Sequence, residues 1–575
     1  MKTIKYTIYI LAVALAVSSC KKALTEDPAY TINNVTAFES ESTANMALLG
    51  CYAYLTEYST YGQNLQEALV GPSGLVFGQN NNPGYAEFAS LNVSETNVTI
   101  ELSWRGLYKV IGECNYFISS VGKSSLSDSY KARAIGEARF LRALCYFNLA
   151  NLFGGVPLRV EPTTSETVNM ARSSREEVYA QAEQDWLFAA ENLGPEKVSG
   201  RASKYAAYAY LAKLYWMLGS HDNTPASPNW AKAKQMGDIV IAEGGYGLES
   251  KFADVFKNHS SNSPESIFQI NFSSATNGYG NRGNWVFSAS NTSNPGISWA
   301  RYRASRAFYD HFRGTYPDDP RLNATFGTRI KLIKTNGNVM FTYPYLYSTP
   351  VNALTRATDS IRYAQLADPT NPRVEELTPA MQAAFVNTGN RDQGWPYFIK
   401  QFDATATAQN SGKNLMVYRY ADFLLLMADV ENELNNTPAA IGYVNKVLSR
   451  ARMSAAGAVY PQDITAMSGD ALRDRIFNER LFELAGEFDL FSDVRRRGTE
   501  YFRKVVSRHD DHHITRAQVA YNKALGNNQP FMDYIILADV GNVEDFLKKN
   551  LLLPIPRNEI SNNESILDTD QNYGY

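Results

Sequence analysis

The sequence predicts a mainly α-helical protein, in which tetratricopeptide-like helix pairs form a scaffold interrupted by a large, loop-rich irregular insertion. The first observation behind this is a set of paired segments of helical length, each with an apolar stripe at helical spacing and alanines at the contacts. In Tyr130–Phe153, Phe140, Leu144 and Phe147 fall at i, i+4 and i+7, and Ala134, Ala138, Ala143 and Ala150 allow close approach of a neighbour. Lys204–Leu218 repeats the idea with Tyr205, Tyr208, Ala212 and Tyr215. The second observation is that from about Phe268 to Ser411 this periodicity gives way to a chain dense in Gly, Asn and Ser. Loop chemistry replaces helix chemistry there.

Composition bounds the class. Hydrophobic residues make up 44% of 575, and the mean hydropathy of −0.32 is that of a soluble globular body. Such a length predicts two or more packed regions. A formal charge of −3 leaves no basic footprint, so no nucleic-acid partner is expected.

The chain opens with a processing segment. Lys2 and Lys5 precede an unbroken apolar run from Ile8 to Val17, and Ser18, Ser19 and Cys20 follow. That run is too short for a hydrocarbon core, which needs about twenty residues, and its layout is that of a secretory signal peptide. Val-Ser-Ser-Cys also resembles a bacterial lipobox, which makes Cys20 the lipidation site and residues 1–19 the leader. Residues 20–35 read as a polar spacer, whose extended reach is at most about 50 Å. If Cys20 is acylated, Cys51, Cys114 and Cys145 remain, an odd number that cannot all pair within one chain. They read as small buried hydrophobes, with one disulfide as the alternative.

The elements then follow in order. A helix is predicted over Ala37–Tyr58. Residues 71–100 read as a loop carrying Phe77, Asn81, Tyr85 and Phe88. Helices are predicted over Leu102–Ser119, Tyr130–Phe153, Arg175–Asn192, Lys204–Leu218 and Trp230–Glu243. The insertion, 268–411, carries short alternating stretches such as Val339–Tyr347, and its aromatics argue against disorder. Helices return over Leu415–Leu434, Thr437–Arg452 and Ala471–Gly486. The first of these has one stripe of Val417, Ala421, Leu424 and Ala428 and another of Phe423, Met427, Val430 and Leu434. The regions are therefore 36–265, helical, and 266–575, which includes the insertion.

The ordered series of segments resembles the SusD/RagB surface lipoproteins of Bacteroidetes. It runs from the lipobox through EARFLRALCYFNLANLFGGVPL (Glu137–Leu158), GRASKYAAYAYLAKLYWMLG (Gly200–Gly219) and PESIFQINF (Pro264–Phe272). YRYADFLLLMADVENELN, RIFNERLFELAGE and the PIP…QNYGY ending complete it. Departures fall at Leu490–Val494, Arg497 and Tyr573, all scaffold positions. The resemblance implies a helical body with a loop-rich ligand face, lipid-anchored on the outer face of the outer membrane. It further implies partnership with a SusC-like TonB-dependent transporter and capture of glycans, or sometimes peptides, for import. No enzyme activity and no cofactor are expected from it.

Two constellations offer chemistry instead. Arg475, Glu479, Glu483 and Glu487 are spaced i, i+4 along one helical face. A glycoside hydrolase needs such a carboxyl pair at about 5–5.5 Å for retention. The same row resembles the family's scaffold motif, so structural ion pairing is the expectation, with Arg480, Arg450, Arg452 and Arg495–Arg497 as partners. His509, Asp510, Asp511, His512 and His513 lack metal-ligand helical spacing, and a solvated loop is expected there.

The ligand face is placed on the aromatics of the two loop regions. A sugar presents apolar C–H faces ringed by hydroxyls, so its receptor needs flat rings with planar polar groups beside them. Trp285 and Trp299 lead, because a Gly/Asn/Ser loop offers little core to bury them. Tyr279, Tyr85, Phe77 and Phe88 join them, with Arg282, Asn284 and Asn81 as hydrogen-bonding groups and Trp395 in reserve. Peptide capture is the rival within this class; a secreted hydrolase and a protein-only adaptor are rivals outside it.

Overall fold

The computed structural model describes residues 36–78, 83–257, 263–273, 279–288, 301–332, 339–342, 396–406, 409–511 and 536–575. The leader, Cys20, the spacer, Asn81, Trp299, Trp395, His512 and His513 lie outside the described residues.

The helical scaffold begins with α1 (Glu41–Tyr54) and α2 (Asn64–Val70), which pack on α4 (Val98–Lys123). Between them lie β1 (Val76–Gly78) and the short α3 (Pro83–Ala89), so the 71–100 segment holds more regular structure than its composition suggested. Then come α5 (Asp128–Phe153), α6 (Arg175–Asn192), α7 (Lys204–Asp222) and α8 (Pro228–Glu243), each packed on the one before. Polar caps set the starts. Asn97 Oδ1 accepts from Thr99 N at 2.9 Å, and Ser174 and Glu177 form a capping box before α6. Each such cap satisfies amides that the helix itself leaves unpaired.

The stripe on α5 meets its partners as expected. Phe140 lies 5.4 Å from Tyr210 of α7, and Phe147 lies 5.6 Å from Trp186 of α6. Ala134, Ala138, Ala143 and Ala150 of α5 are all buried. On α7 the expected stripe is buried at Ala212 and Tyr215 but half-buried at Tyr205 and Tyr208, while Tyr210, Leu211 and Leu214 are also sealed. Close approach is clearest at Gly219, where a Cβ would come within 2.8 Å of the Trp230 ring of α8.

The chain leaves the scaffold after α8 and returns at α12 (Tyr420–Glu433), which packs directly on α8. Exit and return are tied together by β2 (Ser266–Ile270) and β8 (Leu415–Arg419), antiparallel with Ser266 opposite Arg419 and Ile270 opposite Leu415. The predicted helix Leu415–Leu434 is thus a strand followed by a helix. Its first residues are apolar and partly β-branched, and a short run of that kind fits either period. Cross-strand pairing with β2 decides for the strand. Within the insertion lie α9 (Gly283–Phe287), β3 (Tyr302–Ala304) paired with β1, α10 (Arg306–Thr315), α11 (Pro320–Thr325), and the ribbons β4 (Phe326–Gly327) with β7 (Tyr397–Phe398) and β5 (Arg329–Leu332) with β6 (Val339–Thr342). α13 (Thr437–Met453) and α14 (Gly469–Glu483) complete the main helices.

The architecture is therefore mainly α, tetratricopeptide-like helix pairs with a loop-rich insertion docked on them. The buried residues form one continuous cluster from Ala37 to Ile566, so the described regions share a core. Cys51, Cys114 and Cys145 sit in it as buried thiols without disulfides. Among the described residues no helix is long and apolar enough to cross a membrane.

Candidate functional site

The turn after α1 is built by its own polar groups. Thr60 Oγ1 donates to Tyr54 O at 2.7 Å, and Asn64 Nδ2 donates to Tyr58 O at 2.6 Å, which fixes the Tyr58 backbone. The insertion docks onto this turn: Arg282 N donates to Gly62 O at 2.9 Å. Asn281 and Ser411 exchange backbone hydrogen bonds, and Asn281 Oδ1 accepts from Gly283 N at 2.7 Å to start α9. Asn284 is 1% exposed and its Oδ1 accepts from Asp403 N at 3.1 Å. It ties the insertion to itself, a structural job rather than ligand contact.

What this docking creates is a ladder of alternating rings and guanidinium groups. The Arg282 guanidinium carbon lies 3.5 Å from the Tyr58 ring centroid and 5.2 Å from that of Trp285. Arg301 follows, 4.3 Å from Trp285 and 4.4 Å from Tyr85. Each rung is a cation over a π-face. Arg301 is sealed and paired with Glu67 of α2 at 3.0 Å. Tyr58, Arg282 and Tyr85 are half-buried, whereas Trp285 and Arg301 are buried. Burial, with Glu67 behind it, pushes the Tyr85 phenol up to about 12, which keeps it a neutral donor at ordinary pH.

The expected site residues fall into three groups. Tyr85, Arg282 and Tyr279 reach the surface. Tyr279 lines a cleft of about 560 Å³ between α1 (Leu49, Tyr52), Thr56 of the turn after it, Ser199–Arg201 and Ile270–Ser273. Trp285, Phe77, Phe88 and Asn284 are buried, which corrects the expectation of exposed rings. Trp285, 4% exposed, packs against Arg282 and Arg301. Phe88, fully sealed, packs against Tyr302 and against Gly71, where a Cβ would come within 2.7 Å of its ring. Phe77 lies on β1 opposite Arg303, between strand and guanidinium. Trp299, Asn81 and the reserve Trp395 lie outside the described residues. Sequence reasoning missed Tyr58, Arg301 and Glu67. The run Tyr52, Tyr54, Tyr58 and Tyr61 was a legible signal, since four phenols in so short a stretch exceed what one helix face buries.

The glutamate row is a buried ion cluster. Glu479 receives Arg321 at 2.5 Å; Glu483 receives Arg321 at 3.0 Å, Arg419 at 2.7 Å and also Arg450; Glu487 receives Arg419 at 2.7 Å and Lys400 at 2.6 Å. Of the expected partners only Arg450 takes part. Arg480 turns to Asp422 and Asp493, Arg452 to Asp463, and Arg496 and Arg497 to Asp429. Arg495 instead donates to the Asn550 and Pro72 carbonyls. Burial opposes ionisation of Glu483, yet Arg450, Arg419 and Arg321 together hold its carboxyl well below the usual range. A general acid needs the opposite shift. His509, expected in a solvated loop, is 3% exposed on a short helix, its Nε2 2.9 Å from Gly74 O. Among the described residues no group of three His, Cys, Asp or Glu side chains is placed to hold a metal ion.

Comparison with known proteins agrees with this architecture. A family model described as "SusD family" matches residues 264–575, and one described as "Starch-binding associating with outer membrane" matches residues 32–216. The SusD-like protein P25 of Formosa agariphila is 25% identical over 515 residues, covering 87% of this chain and 90% of that protein. A SusD homolog from Bacteroides thetaiotaomicron superposes with a TM-score of 0.72 at 21% identity, covering 93% of this chain and 97% of that one. A laminarin-binding SusD-like protein superposes with a TM-score of 0.62 at 20% identity, covering 94% of this chain and all of the other, 100%. With more than half of its length matched by one family model and the fold shared along nearly all of it, the chain belongs to the SusD family.

Proposed function

We propose that this protein is a cell-surface lipoprotein, anchored to the outer membrane through Cys20, that captures an oligo- or polysaccharide and passes it to a SusC-like TonB-dependent transporter. It binds without catalysis. The observation that carries this reading is the ladder that ends in two half-buried tyrosines, Tyr58 and Tyr85, with Arg282 beside one of them. Flat rings with adjacent planar donors are what a sugar's apolar face and equatorial hydroxyls require. The laminarin-binding relative adds support from the same fold. The buried, arginine-held state of Glu479 and Glu483 counts against a hydrolase built on that row.

Magnitudes suit capture followed by release. Two stacked rings contribute about 0.5–1.5 kcal/mol each, and a few hydrogen bonds about 0.5–1.5 each. Association removes at least about 4 kcal/mol of that gain, so binding is weak. A donor to a transporter gains nothing from tighter binding.

The test is affinity electrophoresis of residues 21–575 through gels containing a panel of glycans, with Tyr58→Ala, Tyr85→Ala and Trp285→Ala run alongside. One glycan should retard the wild type, and each tyrosine variant should lose that retardation while keeping its melting temperature. Trp285→Ala, the buried rung, should lower stability by about 3–5 kcal/mol. Retardation by no glycan would replace this reading with peptide capture.

A further inference from the structure

Arg282 is the one rung of the ladder whose charge is not neutralised among the described residues. Its Nε donates to Asn410 Oδ1 at 3.2 Å and its Nη1 to Gln63 Oε1 at 3.1 Å, both uncharged amides. Neighbouring cations are treated differently: Arg301 has Glu67 at 3.0 Å and Lys109 has Glu57 at 2.8 Å. Asn410 Oδ1 already accepts from Tyr58 Oη at 2.8 Å, so it is shared rather than dedicated to the guanidinium. The Tyr58 ring, 3.5 Å away, and the Trp285 ring cover the guanidinium faces. What remains is its edge. Nη2 makes no hydrogen bond among the described residues, and the half-buried side chain keeps access to solvent.

A guanidinium beside two rings, half-buried and lacking a carboxylate among the described residues, is suited to receive an oxyanion. Desolvation without a counter-charge is unfavourable, and planar recognition of carboxylate or sulfate is what arginine does better than lysine. We propose that the captured glycan is acidic, and that Arg282 Nη2 binds its anionic substituent, a uronate carboxylate or a sulfate ester. This rests on the glycan-capture reading and narrows its ligand class. Two side chains set the receptor: Gln63 and Asn410 hold the guanidinium plane without cancelling its charge.

The experiment measures binding of residues 21–575 to polygalacturonate, κ-carrageenan and laminarin, which present uronate, sulfate ester and no charge respectively. Wild type, Arg282→Gln and Arg282→Lys are compared at low and high salt, with melting temperatures recorded for each. One acidic glycan should bind, weaken with salt, and lose about tenfold in affinity in Arg282→Gln, the worth of one charge-assisted hydrogen bond. Arg282→Lys should keep the salt dependence and lose part of the affinity, because it retains charge without the fork. Which of the two acidic probes binds identifies the anion. Binding of laminarin alone, or acidic-glycan binding indifferent to Arg282→Gln, overturns the anionic assignment and leaves glycan capture standing. Retention of none of the three overturns both.

Discussion

Arg321 shows how a single side chain holds this molecule together. Fully buried on α11, it reaches Asp319, Glu479 and Glu483, and thereby ties the insertion to α14. Removing one partner from a buried charge cluster costs far more than the cluster contributes net, because the remaining charges stay desolvated. Arg321→Met should therefore lower unfolding free energy by about 3–5 kcal/mol, read from the denaturant midpoint. The same cluster sets an acid limit. The Glu483 carboxyl, held down by Arg450, Arg419 and Arg321 against its burial, binds a proton more weakly folded than unfolded. Its contribution is thus complete above the ordinary value of 4.5 and is lost as pH falls below it. The melting temperature should fall steeply through that window in wild type and less steeply in Glu483→Gln; equal slopes would remove Glu483 as the cause.

At the scale of elements, the proposed ligand face depends on how closely α4 approaches the turn that carries Tyr58. Gly106 of α4 makes this possible, since a Cβ there would lie 2.7 Å from Ser59 O and 2.8 Å from Ser59 Cβ. Backbone cannot swing aside as a flexible side chain can. Gly106→Ala should cost about 1–3 kcal/mol, the range for overpacking, and should weaken glycan binding by moving Tyr58 off Arg282. A variant that binds normally would mean that the turn yields without carrying Tyr58 with it. The β2–β8 ribbon plays the complementary part, clamping the start and end of the insertion together.

At the scale of the whole molecule, the 36–265 and 266–575 regions are interlocked rather than appended. Trp216 Nε1 donates to Asp429 at 2.8 Å, and Lys213 Nζ reaches Asp422 at 3.0 Å and Asp489 at 2.7 Å. The C-terminal segment returns to the end of α5, where Leu553 N donates to Leu152 O at 2.7 Å and Asn572 Nδ2 to Phe153 O at 2.9 Å. Leu553, Ile555, Ile560 and Ile566 are buried there. At about 1.5–3 kcal/mol each, their loss rivals a typical domain's net stability of about 5–15 kcal/mol. Deleting residues 551–575 should give no cooperatively folded protein, and the intact chain should melt in one calorimetric transition. Two separable transitions would mean the regions fold independently.

Much of the scaffold was legible in the sequence because long helices carry their period locally. Arg175–Asn192 was bounded as found, and Tyr130–Phe153 missed only its first two residues. The glutamate row announced an ion cluster by its spacing, and Arg450 was nameable because it stands on a predicted helix. Two other partners, Arg321 and Lys400, come from the insertion, where no period marks which cation turns inward, and Arg419 stands on β8, in a stretch that reads as the start of a helix. The ligand face failed for the same reason. Composition could say that aromatics stand in loops, but exposure depends on contacts between distant segments: Trp285 is buried by Arg301 and Arg282, and Arg282 is carried to Tyr58 by a backbone bond to Gly62. Local pattern determined the helices, the predicted leader and the kinds of residue available for binding. Only the docking of the insertion on the first turn decided which rings face solvent and which cation is left without a counter-charge, because burial belongs to pairs of segments and not to either one.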